Sequence, residues 1–195
     1  VLACAQRVWE EAPTEFDADV LIVAGCGIHN SGELKSEHNG IHSFHIGKKA
    51  KVIYIEKHYG GGEGNGKRVL NPQTIINVDE GGYLEMQTAQ IKGVDDSYRK
   101  TYAKLEKDAT LIIKESILTH NDQHATTDFV VDLDGENSSA HVVSRSVAKD
   151  NSNQLFISNI NGNNICNGHT ECDAIIMDNA VVSAIPEVTA NHLDA

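Results

Sequence analysis

A chain of 195 residues is one domain by size and long enough to bury a core, but it carries only one Trp, five Tyr and four Phe. An interior with so few rings is filled by Ile, Val, Leu and Ala, which favours stacked β-branched ladders over a helical bundle. A net charge of −12 with no offsetting basic cluster excludes a phosphate-binding, nucleic-acid surface, and the longest apolar run, Val20 to Ile28, is too short to cross a bilayer.

In chain order, "LACAQRVWEEA" before Pro13 suggests a helical lead-in over residues 1–16, and residues 17–195 form the main body. The next stretch, "GCGIHNSGELKSEHNGIHSFH", gathers Cys26, His29, His38, His42 and His45. Thiolate and imidazole suit zinc or iron, but no compact zinc-finger spacing appears. His42 and His45, three apart, point to opposite faces of a strand, so polar loop residues are the default expectation.

Five segments then share one plan, an apolar strand, an acidic or glycine turn, and a second alternating strand. They are "SFHIGKKAKVIYIE", "TIINVDEGGYLEMQ", "YAKLEKDATLIIKE", "FVVDLDGENSSAHVV" and "AIIMDNAVVSAIP". The last apolar residues before the turns, Ile46, Val78, Leu105, Leu133 and Met177, are spaced by 32, 27, 28 and 44. The last gap is taken as two shorter units with one degenerate repeat. Repeats of this length built from period-two strands predict a parallel β-helix, a solenoid; a β-sandwich is the rival. Pro13, Pro72 and Pro186 stand where strands begin or turn, and seven Asn between Asn151 and Asn167 suit left-handed turns and stacked amides.

"GGGEGNGKR" nearly spells a P-loop, but Arg68 stands where Ser or Thr would bind Mg2+, and "VLNPQ" opens no helix. It is a loop between coils, and no nucleotide is expected on this chain. Paired acids such as Asp132 and Asp134 are turn acids rather than catalytic carboxylates. The four cysteines, Cys4, Cys26, Cys166 and Cys172, are too few and scattered for a disulfide framework, and no secretory leader is visible. Reduced thiols in the cytoplasm are expected, although spacing alone leaves a disulfide open.

"NNICNGHTECDAIIMD" sets Cys166, His169 and Cys172 three apart. On one continuous strand the two cysteines share a face and His169 points away. The three converge on a metal only if Asn167-Gly168 turns. Packed thiols are the alternative. A Cys–His nucleophile lacks an orienting acid and an oxyanion hole.

"SEHNGIHSFHIGKKAKVIYIEKHYG", "VVSRSVAKDNS" and above all "CNGHTECDAIIMDNAVVSAIPEVTANHLDA" resemble the SufB/SufD family of Suf iron–sulfur assembly scaffolds. The likeness runs from about Asp17 to Ala195 and is strongest after Val142. The resemblance implies a right-handed parallel β-helix and a non-enzymatic, cytoplasmic role. It implies pairing as a SufB–SufD couple or a homodimer, partnership with the SufC ATPase, and a transient iron–sulfur cluster. Cys172 matches a family position, with ligation or persulfide handling as its implied role; Cys166 and His169 are weaker candidates. Two departures stand out. Ala180 takes the place of a cluster-associated cysteine of SufB proteins, which favours a SufD-like or undifferentiated member. The family's "HEA"-type segment and C-terminal helical region, which docks the ATPase, would follow the Asp-Ala at which the sequence stops, so a fragment is expected. Competing functions are a purely structural partner subunit that holds no cluster and a carbohydrate-active β-helix enzyme.

Overall fold

The computed structural model describes residues 18–195 and the backbone of residues 5–10. Of the expected helical lead-in, only Ala5–Glu10 is described, as a strand; the remainder lies outside the described residues. Among the described residues no helix is long and apolar enough to cross a membrane.

The strands, numbered in chain order, form two sheets in which every pairing is parallel. The six-stranded sheet holds β2 (Asp19–His29), β5 (Lys51–Gly61), β8 (Tyr83–Lys92), β10 (Thr110–Thr119), β12 (Ser138–Ala148) and β14 (Cys166–Ile176). The nine-stranded sheet holds β1 (Ala5–Glu10), β4 (Ile41–Ile46), β7 (Gln73–Val78), β9 (Asp96–Leu105), β11 (His124–Leu133), β13 (Asn153–Gly162) and β15 (Val181–Ala190). Short strands β3 (Ser36–His38) and β6 (Arg68–Leu70) extend it. The chain alternates between the walls, so each excursion is one coil of a parallel β-helix.

Period-two alternation turns one face of every strand inward, and stacking in register places equivalent positions directly above one another. Ile46, Val78, Leu105 and Leu133 do form one interior column. The column does not continue to Met177. Its next members are Gly162 and Ala190, and Met177 follows β14 on the other wall. The gap of 44 therefore hides a wall change, because Gly162 carries no side chain to mark its position in the sequence.

The inner face of the six-stranded sheet splits into halves. The columns Val20–Val52–Leu84–Leu111–Ala140 and Ile22–Tyr54–Met86–Ile113–Val142 are apolar. With Phe44, Ile76, Val131 and Ile160 from the opposite wall they build the main core. The next two columns are largely polar: Ala24–Glu56–Thr88–Glu115–Ser144–Cys172, and Cys26–His58–Gln90–Ile117–Ser146–Ala174.

The corners show why the sequence is rich in turn acids and Asn. Lys49, Asp108 and Asn137 at one corner, and Asn121, Asp150 and Asp178 at another, have positive φ, where a short polar side chain tolerates the left-handed turn better than a branched one. Asn137 Nδ2 donates to Asp108, and the N–H groups of Asn121 and Asp150 donate to Asp150 and Asp178; beside them Asn151 Nδ2 donates to Asp122, Asn179 to Asn151, Asn163 to Asp134 and Asn191 to Asn163. Asp132 accepts from Tyr102 and Asn161, so it and Asp134 serve the ladder. The "GGGEGNGKR" loop is tied down by Arg68, whose guanidinium donates to the carbonyls of Gly61, Gly62 and Gly64 and pairs with Asp95. Pro186 does not begin or turn a strand as expected but sits within β15, opposite Ser158 of β13.

Leu111 is fully buried in the apolar half, whereas Leu34 is 85% exposed. Leu111→Ala is expected to cost about 2–5 kcal/mol in urea denaturation, and Leu34→Ala less than about 0.5 kcal/mol.

Candidate functional site

β14 is one continuous strand, so Asn167-Gly168 makes no turn. Cys166 and Cys172 face inward, half-buried and packed against the main core, above Ser138 and Ser144. His169 lies on the outer face, stacked on His141 one coil back with ring centroids 4.4 Å apart. Its Nε2 is 3.4 Å from Glu171 Oε2 on the same strand, and His141, His169 and Glu171 together could hold a metal on the surface. The structure thus separates His169 from the two cysteines and gives it partners, His141 and Glu171, that a search for cysteine spacing does not reveal. The signal for His141 lies one coil away in sequence, where it anticipates His169.

The Cys172 thiol sits at the end of the polar interior. Burial, and then the charges of Glu115 and Asp173, push its pKa above the ordinary thiol value. The cavity beside it, bounded by Glu115, Ser144 and Ser146, is about 10 Å3, at the lower limit for one ordered water. Glu115, one column position below Ser144, accepts from Ser144 Oγ at 2.8 Å and Thr127 Oγ1 at 3.1 Å. It also pairs with Arg99 Nη2 at 2.7 Å, both side chains being almost completely buried. This Arg99–Glu115 pair crosses the interior from β9 to β10 and ties the walls together.

Further along the same half, Arg99 Nη1 stands 3.5 Å from His58 Nδ1. His58 Nε2 is 3.2 Å from Glu56 Oε2, and His42 Nδ1 lies 3.7 Å from the same oxygen. Cys26, the ladder neighbour of His58, places its Sγ 2.9 Å from His38 Nε2. The expectation that this histidine-rich stretch forms polar loop residues is therefore corrected: Cys26, His29, His38, His42 and His45 all lie on strands. His42 is buried, and His45 points outward to Asp79, as strand alternation requires. The partners Glu56 and His58 were missed because they come from the following coil. No disulfide joins any two of Cys26, Cys166 and Cys172; Cys4 lies outside the described residues.

Burial pushes the His58 pKa below the usual imidazole value, with Arg99 and His42 adding to the effect and Glu56 opposing it. For Glu56, burial acts upward, but His58, His42 and Tyr54 outweigh it and hold the carboxyl below the usual range.

Residues 14–195 match the family model described as "SUF system FeS cluster assembly, SufBD core domain". An iron–sulfur cluster assembly SufBD family protein of Methanocaldococcus jannaschii is 32% identical over 195 residues, covering 94% of this chain and 58% of that protein. A SufBD family protein of Archaeoglobus fulgidus is 27% identical over 188 residues, covering 96% and 49%, respectively. One from Methanothermobacter thermautotrophicus is 28% identical over 182 residues, covering 89% and 42%. The chain spans about half the length of the curated relatives it matches.

Breaking the buried pair with Arg99→Met is expected to cost about 3–5 kcal/mol, because it strands the Glu115 charge. Arg99→Met/Glu115→Gln, which keeps an acceptor for Ser144 and Thr127, is expected to recover much of that loss in chemical denaturation. A second outcome concerns pH. Because His58 has a folded pKa below its unfolded value of 6.5, its contribution to stability is full above that value and is lost as pH falls below it. Metal-free wild-type protein is expected to lose more stability between about pH 7.5 and pH 5.5 than His58→Gln, as read from urea midpoints at the two values.

Proposed function

The chain belongs to the SufBD family of iron–sulfur cluster assembly proteins, and from that premise we propose that it is a non-enzymatic scaffold subunit on which a nascent cluster is held as cargo. The observation that carries this reading is the placement of Cys166 and Cys172. Both are thiols in no disulfide, on the inner face of β14. Thiolates are the common ligands of iron–sulfur clusters, and a β-sheet wall holds them at fixed positions. The raised pKa of Cys172 suits a thiol that is kept protonated until iron displaces its proton.

Pairing with a second SufB/SufD-type subunit is part of this reading, supported by membership of the family. Energy for assembly is assigned to a SufC-type ATPase, in keeping with the lack of a P-loop in this chain. The reducing cytoplasm suits the reduced thiols this role needs.

A second reading, a structural partner that holds no cluster itself, is favoured by one specific feature. His169 lies on the opposite face from the cysteines, and Ala180 stands where SufB-type relatives carry a cysteine. Anaerobic reconstitution of the protein with iron and sulfide, beside Cys166→Ser/Cys172→Ser, separates the two. The scaffold reading expects stoichiometric iron, sulfide and visible absorption that the double variant loses. Absence of a cluster from both proteins, with folding and pairing intact, would favour the structural partner instead.

A further inference from the structure

Cys26, Glu56 and His58 lie at the opposite end of the polar interior from Cys172, and the cluster-holding role uses none of them. One ligand atom from each lies within 4.8 Å of the others. Donors around a tetrahedral zinc-type ion stand roughly 3.3–3.8 Å apart, given bond lengths of about 2.0–2.3 Å. The three atoms therefore need only a small inward movement to share one ion.

Three observations point to a ligand. Glu56 is 4% exposed, yet among the described residues no Lys or Arg pairs with it; its partners are the imidazoles of His42 and His58 and the Tyr54 hydroxyl. A buried carboxylate without a lasting counter-charge is costly unless it is paired or coordinates a metal. His58 is 3% exposed, and its Nε2, 3.2 Å from Glu56 Oε2, makes no well-aligned hydrogen bond. Arg99, the cation nearest His58, is committed to Glu115 at 2.7 Å.

We propose that Cys26, Glu56 and His58 bind one divalent transition-metal ion of borderline softness, of the Zn2+ or Fe2+ class. Sulfur, imidazole nitrogen and carboxylate oxygen together form a donor set for such ions and a poor one for Ca2+ or Mg2+. A thiolate and a carboxylate neutralise the two charges of the ion, so the bound site adds no net charge to the interior. His38 Nε2, 2.9 Å from the sulfur, holds the thiol in the metal-free protein. A guanidinium only donates, so Arg99 makes His58 Nδ1 an acceptor in the metal-free state. Binding through Nε2 moves the imidazole proton to Nδ1 and leaves Arg99 wholly to Glu115 and Thr127. The 3.5 Å contact given up is already at the limit of hydrogen bonding.

The site arises from the ladder. Cys26 is stacked over His58 by the β2–β5 register, and Glu56 lies two residues from His58 on the same face. This site is independent of the cluster-scaffold reading, and its ion is a resident one rather than cargo.

The test is a titration of metal-free protein with Co2+, a spectroscopic stand-in for zinc, followed by displacement with Zn2+. Expected is one Co2+ per chain with sulfur-to-cobalt charge-transfer absorption, abolished by Cys26→Ser and retained by Cys166→Ser/Cys172→Ser. His141→Ala/His169→Ala also retains it, because the surface group contains no sulfur. Glu56→Gln and His58→Gln, checked for folding by circular dichroism, are expected to weaken binding by about tenfold or more, in line with losses seen when metal-site geometry is disturbed. They carry the test if Cys26→Ser does not fold. No sulfur-to-cobalt band, a band that survives Cys26→Ser, or one lost with Cys166 and Cys172 would overturn the site. None of these results bears on cluster reconstitution, which is read separately in the Cys166→Ser/Cys172→Ser protein.

Discussion

In-register stacking of parallel strands is the constraint on which the rest of this molecule depends. Each coil hydrogen-bonds to the next along both walls, so any residue sits about 4.8 Å above its counterpart in the preceding coil. A side chain is therefore chosen against its column as much as against its neighbours in sequence. Val52, Leu84 and Leu111 succeed one another because each must match the apolar residue below it. The corners obey the same rule, with acids and amides passing hydrogen bonds from coil to coil.

The same stacking gathers polar chemistry inside the solenoid. A lone buried Arg or Glu would be expensive, but columns from opposite walls bring Arg99, Glu115, Thr127 and Ser144 into one hydrogen-bonded group. This group divides the polar half into two regions. On one side lie Glu56, His58 and Cys26, and on the other Cys172 near the end of the described coils. The apolar half carries most of the packing, which leaves the polar half to carry chemistry at limited cost to stability.

Such an architecture fixes side chains in place. Sheet walls position thiols and imidazoles more rigidly than loops do.

Much of the fold was legible in the sequence, because strand alternation and recurring turn acids are local signals. The column Ile46–Val78–Leu105–Leu133 could be found by spacing, and the opposed faces of Cys166 and His169 by counting along one strand. The resemblance to the SufB/SufD family likewise rested on contiguous motifs. What the tertiary structure alone decided was which residues meet between coils. Gly162 could not be picked out as the successor of Leu133, since a residue without a side chain leaves no hydrophobic mark. Arg99 with Glu115, His141 with His169, and Cys26 with Glu56 and His58 are pairings across strands. They depend on a register set by coil lengths that vary from turn to turn. A linear sequence specifies the faces of its strands through period-two alternation; only the folded ladder, by fixing the register, determines which of those faces' residues become neighbours.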